Sequence, residues 1–96
     1  VPVFDPAVIE FIKAGCVPGG SRKNLELAEE FTLFGSSVPD ELKILLADAQ
    51  TSGGLLLAVS PEHYQEAQDL LFAKGAAIVA DIGVVTHQDE HPVVVS

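Results

Sequence analysis

Apolar positions along this chain follow two rhythms, and each change of rhythm falls at glycine or proline. Val8, Phe11 and Ile12 share one helical face, which predicts a helix over residues 5–14. Asp5 can cap it, Pro6 suits the first helical position, and Gly15 can close it in a left-handed conformation. Phe4 and Ile9 are spaced for a hydrophobic staple. Residues 16–24, CVPGGSRKN, read as a loop, because Pro18-Gly19-Gly20 interrupts both helix and strand. Residues 25–34 admit two readings. Leu25, Leu27, Ala28 and Phe31 fit a short helix, while 31–34 fit a strand. After the turn Gly35-Ser36-Ser37, Val38-Pro39-Asp40-Glu41 opens a second helix with Leu42, Leu45 and Leu46 on its apolar face, ending near Asp48.

The connector Ala49-Gln50-Thr51-Ser52-Gly53-Gly54 then leads into Leu55-Leu56-Leu57-Ala58-Val59, a strand apolar on both faces. Ser60-Pro61 starts a third helix, which Lys74 and Gly75 end. Residues 76–80, 82–86 and 92–95 read as strands, the last two paired across Gln88-Asp89-Glu90. Helices interspersed with strands that meet in a short hairpin predict an α+β fold, with a mixed or antiparallel sheet and helices packed on it. There is no internal repeat.

Length and charge narrow the functions open to such a fold. The chain is long enough for one domain, with a core that buries roughly 60–70% of the unfolded surface. The apolar share is 48%, nearly all aliphatic. The mean hydropathy is +0.35. Some apolar surface is therefore expected to cover a neighbour. A net charge of −9 argues against nucleic acid and anionic membranes. Cys16 is the sole cysteine, which rules out an internal disulfide and a cysteine zinc site. Its expected role is packing, since no His stands in a local pattern with it. No apolar run is long enough to span a bilayer, and the default location is cytoplasmic. Because the chain starts at Val1 without Met, it reads as a piece of a longer polypeptide.

Two glycine motifs stand out. In Val17-Pro18-Gly19-Gly20-Ser21-Arg22-Lys23-Asn24, paired glycines let backbone approach a ligand closely, and two of only five basic residues stand beside them. A solvated turn with surface cations is the simpler account of those residues alone. In Asp48-Ala49-Gln50-Thr51-Ser52-Gly53-Gly54-Leu55-Leu56, amides and two hydroxyls can hold phosphate oxygens, although Gly53-Gly54 can equally serve tight packing. The segment precedes a strand and lacks the Walker lysine, which excludes a P-loop. His87-Gln88-Asp89-Glu90-His91 lacks structural metal-ligand spacing and reads as solvated hairpin, as His63 reads as a helix-start residue. Asp81 reads as marking a bend.

Taken together, in this order and spacing, the two motifs and the later Ile82-Gly83 resemble the selenophosphate synthetases over nearly the whole chain. That family carries PGG-T-x-x-N and DPQTSGGLL segments. Ser21 stands here for the usual Thr and Ala49 for the usual Pro. The resemblance implies an aminoimidazole ribonucleotide synthetase C-terminal-domain-like fold. It implies that residues 1–96 form a C-terminal domain whose N-terminal partner domain lies elsewhere in the same polypeptide. The parent would be a homodimer making selenophosphate, AMP and phosphate from ATP, selenide and water. Mg²⁺ and ATP would be held mainly by the N-terminal domain, so this chain would hold no metal, no catalytic residue and no activity alone. Gly19, Gly20, Thr51, Ser52, Gly53 and Gly54 are the expected phosphate- or substrate-cleft residues, in a domain that closes over the active site. Two rival readings are a stand-alone regulatory or binding α+β module with a ferredoxin-like arrangement, and a paralogous ATP-dependent synthetase domain.

Overall fold

A computed structural model describes residues 1–87 and 90–96 and resolves them into two compact units. The first comprises Val3–Gly53 with His87–Ser96, the second Val1–Pro2 with Gly54–Thr86.

The first unit carries three helices and a two-stranded sheet. Helix α1 spans Ala7–Lys13. The Asp5 carboxylate accepts a hydrogen bond from the Ala7 amide at 2.8 Å. That is the capping role its position predicts. Gly15 (φ +85°) closes the helix, its amide donating to Ile12 O and that of Cys16 to Phe11 O, both at 2.9 Å. The staple is not made, because Phe4 is 97% exposed. Helix α2 spans Gly19–Ala28, so it takes in most of the segment expected to be loop. Pro18 is extended and precedes the first turn, and Ser21, Leu25 and Ala28 form the inward face at helical spacing. The hydrophobic pattern shows only the last two of these, because the first turn, Gly-Gly-Ser-Arg, has no apolar side chain.

Strand β1 (Thr32–Phe34) follows, and then α3 (Asp40–Leu46), which packs on both α1 and α2. Strand β2 (Val93–Val95) pairs with β1 in parallel, Thr32 opposite Val93 and Phe34 opposite Val95. The Gly35 amide continues the ladder to Val95 O at 2.7 Å. The fold is thus α+β as expected, but its sheet is parallel rather than mixed or antiparallel. Among the described residues 82–86 enter no ladder with 92–95, and Gln88 and Asp89 of the expected hairpin turn lie outside the described residues. The β-branched run at 93–95 pairs instead with the distant strand β1.

The second unit is built on a 3₁₀ turn, Pro61–His63, that runs into α4 (Tyr64–Ala73). The Glu62 carboxyl is held below its ordinary range by the backbone N–H at its own position and by the Ser60 hydroxyl. Gly75 (φ +89°) closes α4, with Ala76 N donating to Leu71 O at 3.0 Å. The Asp81 carboxylate accepts from the Gly83 amide at 3.1 Å, the local bend its position suggests. Residues 55–59, 76–80 and 82–86, all expected as strands, enter no described ladder. Leu55 is 87% exposed and Val85 90%. Their composition favours strand, but a strand exists only with a partner, and the described chain offers them none.

Burial is correspondingly thin. Among the described residues Val38 is the one apolar side chain classed as buried, and Ser21 and Thr32 are the buried polar ones. Hydrogen exchange on the 96-residue chain is expected to separate two classes of amide. Those of α2 and α4 should be protected, and those of residues 55–59 and 77–85 should exchange close to the unstructured rate.

Candidate functional site

The two glycine motifs are tied to one another within the first unit. Ser21, only 3% exposed, donates its hydroxyl hydrogen bond to the Asp48 carboxylate. One turn further along α2, the Asn24 side-chain amide donates to the Ala47 carbonyl at 3.1 Å. Ala47 is the C-cap of α3, so Asn24 satisfies one of the carbonyls that a helix leaves open at its end. A helix starting with Pro-Gly-Gly thus grips the exit of the helix that leads into Gln-Thr-Ser-Gly-Gly. Ser21, Asn24 and Asp48 are not among the expected cleft residues. Ser21 and Asn24 lie in the first motif segment and Asp48 in the second, but only the folded chain reveals that they form this joint.

Past that joint, Gln50, Thr51, Ser52 and Gly53 form a tight turn, closed by the Gly53 amide donating to Gln50 O at 2.9 Å. Ser52 sits at φ +56°, the only non-glycine residue in the left-handed region among those described. Such a conformation costs about 1–2 kcal/mol for a residue with a Cβ. At Gly53 the constraint is steric, since a Cβ there would lie 2.9 Å from Gln50 O. Gly54 begins the second unit, and a Cβ on it would meet no atom within 4 Å. Close packing within the chain therefore accounts for Gly53 but not for Gly54. Gly19 and Gly20 stand in the first turn of α2, where a Cβ would also meet nothing within 4 Å. Their amides precede the first helical acceptors, so they are not used by the helix itself.

Beside the joint lies an open cleft of about 310 Å³. Phe11, Ile12, Val17, Ile44 and Leu45 wall it, and Ser21 and Asp48 are its polar lining. Cys16, expected to pack, is exposed on this cleft. Lys23 is occupied by Glu26 at 3.1 Å, whereas Arg22 is exposed and enters no ion pair among the described residues. Among the described residues, no group of three or more His, Cys, Asp or Glu side chains could hold a metal ion. His63 pairs with Glu66 at 3.4 Å on the second unit, and the 87–91 segment includes the undescribed Gln88 and Asp89.

No family model matches the chain, and no solved structure matches it. Curated proteins do. The selenide, water dikinase of Pelobacter propionicus is 36% identical over 90 residues, which is 94% of this chain and 26% of that protein. That of Carboxydothermus hydrogenoformans is 42% identical over 77 residues, 80% of this chain and 22% of that protein. That of Escherichia coli strain K12 is 52% identical over 61 residues, 64% of this chain and 17% of that protein. The chain spans about a quarter or less of the length of these relatives.

The turn geometry orders three substitutions by their effect on stability, measured as denaturant midpoints. Gly53→Ala is expected to lose about 1–3 kcal/mol through the clash with Gln50 O. Ser52→Gly should gain up to about 1 kcal/mol by relieving the left-handed serine. Gly54→Ala should shift stability by at most about 0.5 kcal/mol, the range of an unconstrained surface change.

Proposed function

We propose, from its membership of the selenide, water dikinase family, that this chain is the C-terminal part of a selenophosphate synthetase. The observation that carries the reading is the alignment with the Pelobacter propionicus enzyme. It covers 94% of the chain, enough to include both glycine motifs. The parent enzyme would convert ATP, selenide and water to selenophosphate, AMP and phosphate. The exposed apolar side chains at 55–59 and 77–85 support a place within a larger protein, since apolar surface of this extent needs covering. The rest of the polypeptide, as an N-terminal domain, would cover them, bring Mg²⁺ and most of the ATP site, and form the homodimer. This chain alone would not turn over substrate.

Its part in the reaction would be to position and to neutralise. Phosphoryl transfer asks the protein mainly to hold the reacting groups in line and to stabilise charge on phosphate oxygens. The amides of Gly19 and Gly20, the hydroxyls of Thr51 and Ser52, and the amides of Gly53 and Gly54 are donors of the right kind. Arg22 is a cation free for the same purpose among the described residues. The glycines at 19 and 20 support this role for a second reason. Where the backbone suits alanine equally well, glycine leaves the unfolded chain more freedom and is less stable by about 0.4–1 kcal/mol. Yet nothing in the chain fills the space a methyl group would take. A close approach by a ligand's phosphate is a use for that open backbone.

Phosphorus NMR of the full-length protein with Mg²⁺, ATP and selenide under anaerobic conditions tests the reading. Selenide-dependent formation of AMP and a selenophosphate resonance is expected, and ATP left unchanged by folded protein would overturn it. Gly19→Ala, Gly20→Ala and Gly54→Val should each lower that turnover at least about ten-fold, and the two helical alanines should keep or raise thermal stability. Full turnover in all three well-folded variants would remove these glycines from the cleft.

A further inference from the structure

We propose that Ser21 and Asn24 are positioning residues, which hold the Gln50–Gly53 turn in its working geometry by pinning the end of α3. The inference rests on the reading of this chain as a synthetase segment, and deepens it. The two side chains stand three residues apart on α2 and therefore point the same way. They grip consecutive residues. Asn24 holds the carbonyl of Ala47, the C-cap of α3, and Ser21 holds the carboxylate of Asp48, the next residue. Two points on one rigid helix fix both the position and the direction of the backbone that leaves α3. Gln50 begins its turn two residues later. The left-handed Ser52 within that turn is a conformation that persists only where the surroundings enforce it. The Ser21 hydroxyl is buried, so its bond to Asp48 is not exchanged for one to water. Neither residue needs to touch substrate. Each acts through the loop whose start it fixes.

The donors decide the test. Ser21→Ala removes the hydroxyl, and Asn24→Asp replaces a donor with a group that cannot donate to a carbonyl at neutral pH. Ser21→Thr keeps the hydroxyl, at a position that lines the cleft. In the full-length protein, Ser21→Ala and Asn24→Asp are expected to speed exchange of the Gly53 amide, which closes the turn onto Gln50 O, about five-fold to ten-fold. They should lower kcat for selenide-dependent ATP consumption about ten-fold or more, with KM for ATP within about two-fold. Ser21→Thr should restore both readouts to within about two-fold of the parent. Unchanged exchange in both folded variants overturns the proposal, as does Ser21→Thr behaving like Ser21→Ala. Faster exchange with unchanged kcat overturns it too, leaving the contacts structural only. If the parent shows no selenide-dependent turnover, the synthetase reading fails by itself, while exchange still decides whether Ser21 and Asn24 hold the turn.

Discussion

A hydroxyl buried on the inner face of a helix has to find an acceptor, and in this chain Asp48 is that acceptor for Ser21. Much of the first unit follows from that requirement. Ser21 can be buried only where a partner meets it, so α2 must lie with its first turn against the end of α3. Leu25 and Ala28 then continue the same face inward, and Asn24 reaches the carbonyl that α3 leaves open. Surface ion pairs contribute little beside this. Lys13 with Glu10, Lys23 with Glu26, and Lys43 with Asp40 each join residues of one helix. Exposed pairs of this kind are worth about 0.3–0.5 kcal/mol.

Hydrophobic burial, usually the dominant stabilising force, is weak. A domain ordinarily offsets conformational entropy with a contiguous apolar core, and Val38 alone qualifies as buried among the described residues. Exposed Leu55, Leu56, Val84 and Val85 carry the apolar content that a core would use. A high aliphatic content thus stands beside little burial among the described residues.

Signals in the sequence are legible to the degree that they are local. Asp5 as cap, Gly15 and Gly75 as left-handed closures and Asp81 as a bend all appear where expected, because each depends on neighbours within a few residues. The start of α2 is hidden, since its first turn carries glycines and one inward serine in place of an apolar signal. Strand pairing is the least legible. Period and composition identify residues that suit a strand but not the edge that receives them. So β2 takes β1 in parallel, and residues 55–59 take no described partner. For the candidate site, the two motif segments are visible, while the contacts between them need the fold. In the sequence Ser21 is only a substitute for threonine and Asp48 only the head of a motif, yet they bond across 27 residues of chain.

The four candidate glycines divide on physical grounds. Gly53 is required by the chain itself, because Gln50 O occupies the space of its missing Cβ. Gly19, Gly20 and Gly54 face open space and none adopts a left-handed conformation, so the folded chain gives no reason to forbid a methyl group. A glycine without an internal reason weakens its segment by leaving the unfolded chain more freedom. Two of these stand at the start of the helix that pins the second motif, and the third follows directly on the strained turn. Self-folding explains Gly53 and the Ser21–Asp48 contact. The other three glycines have no such reason within the described chain, and under the proposed reading a phosphate group has both the charge and the size to approach that open backbone.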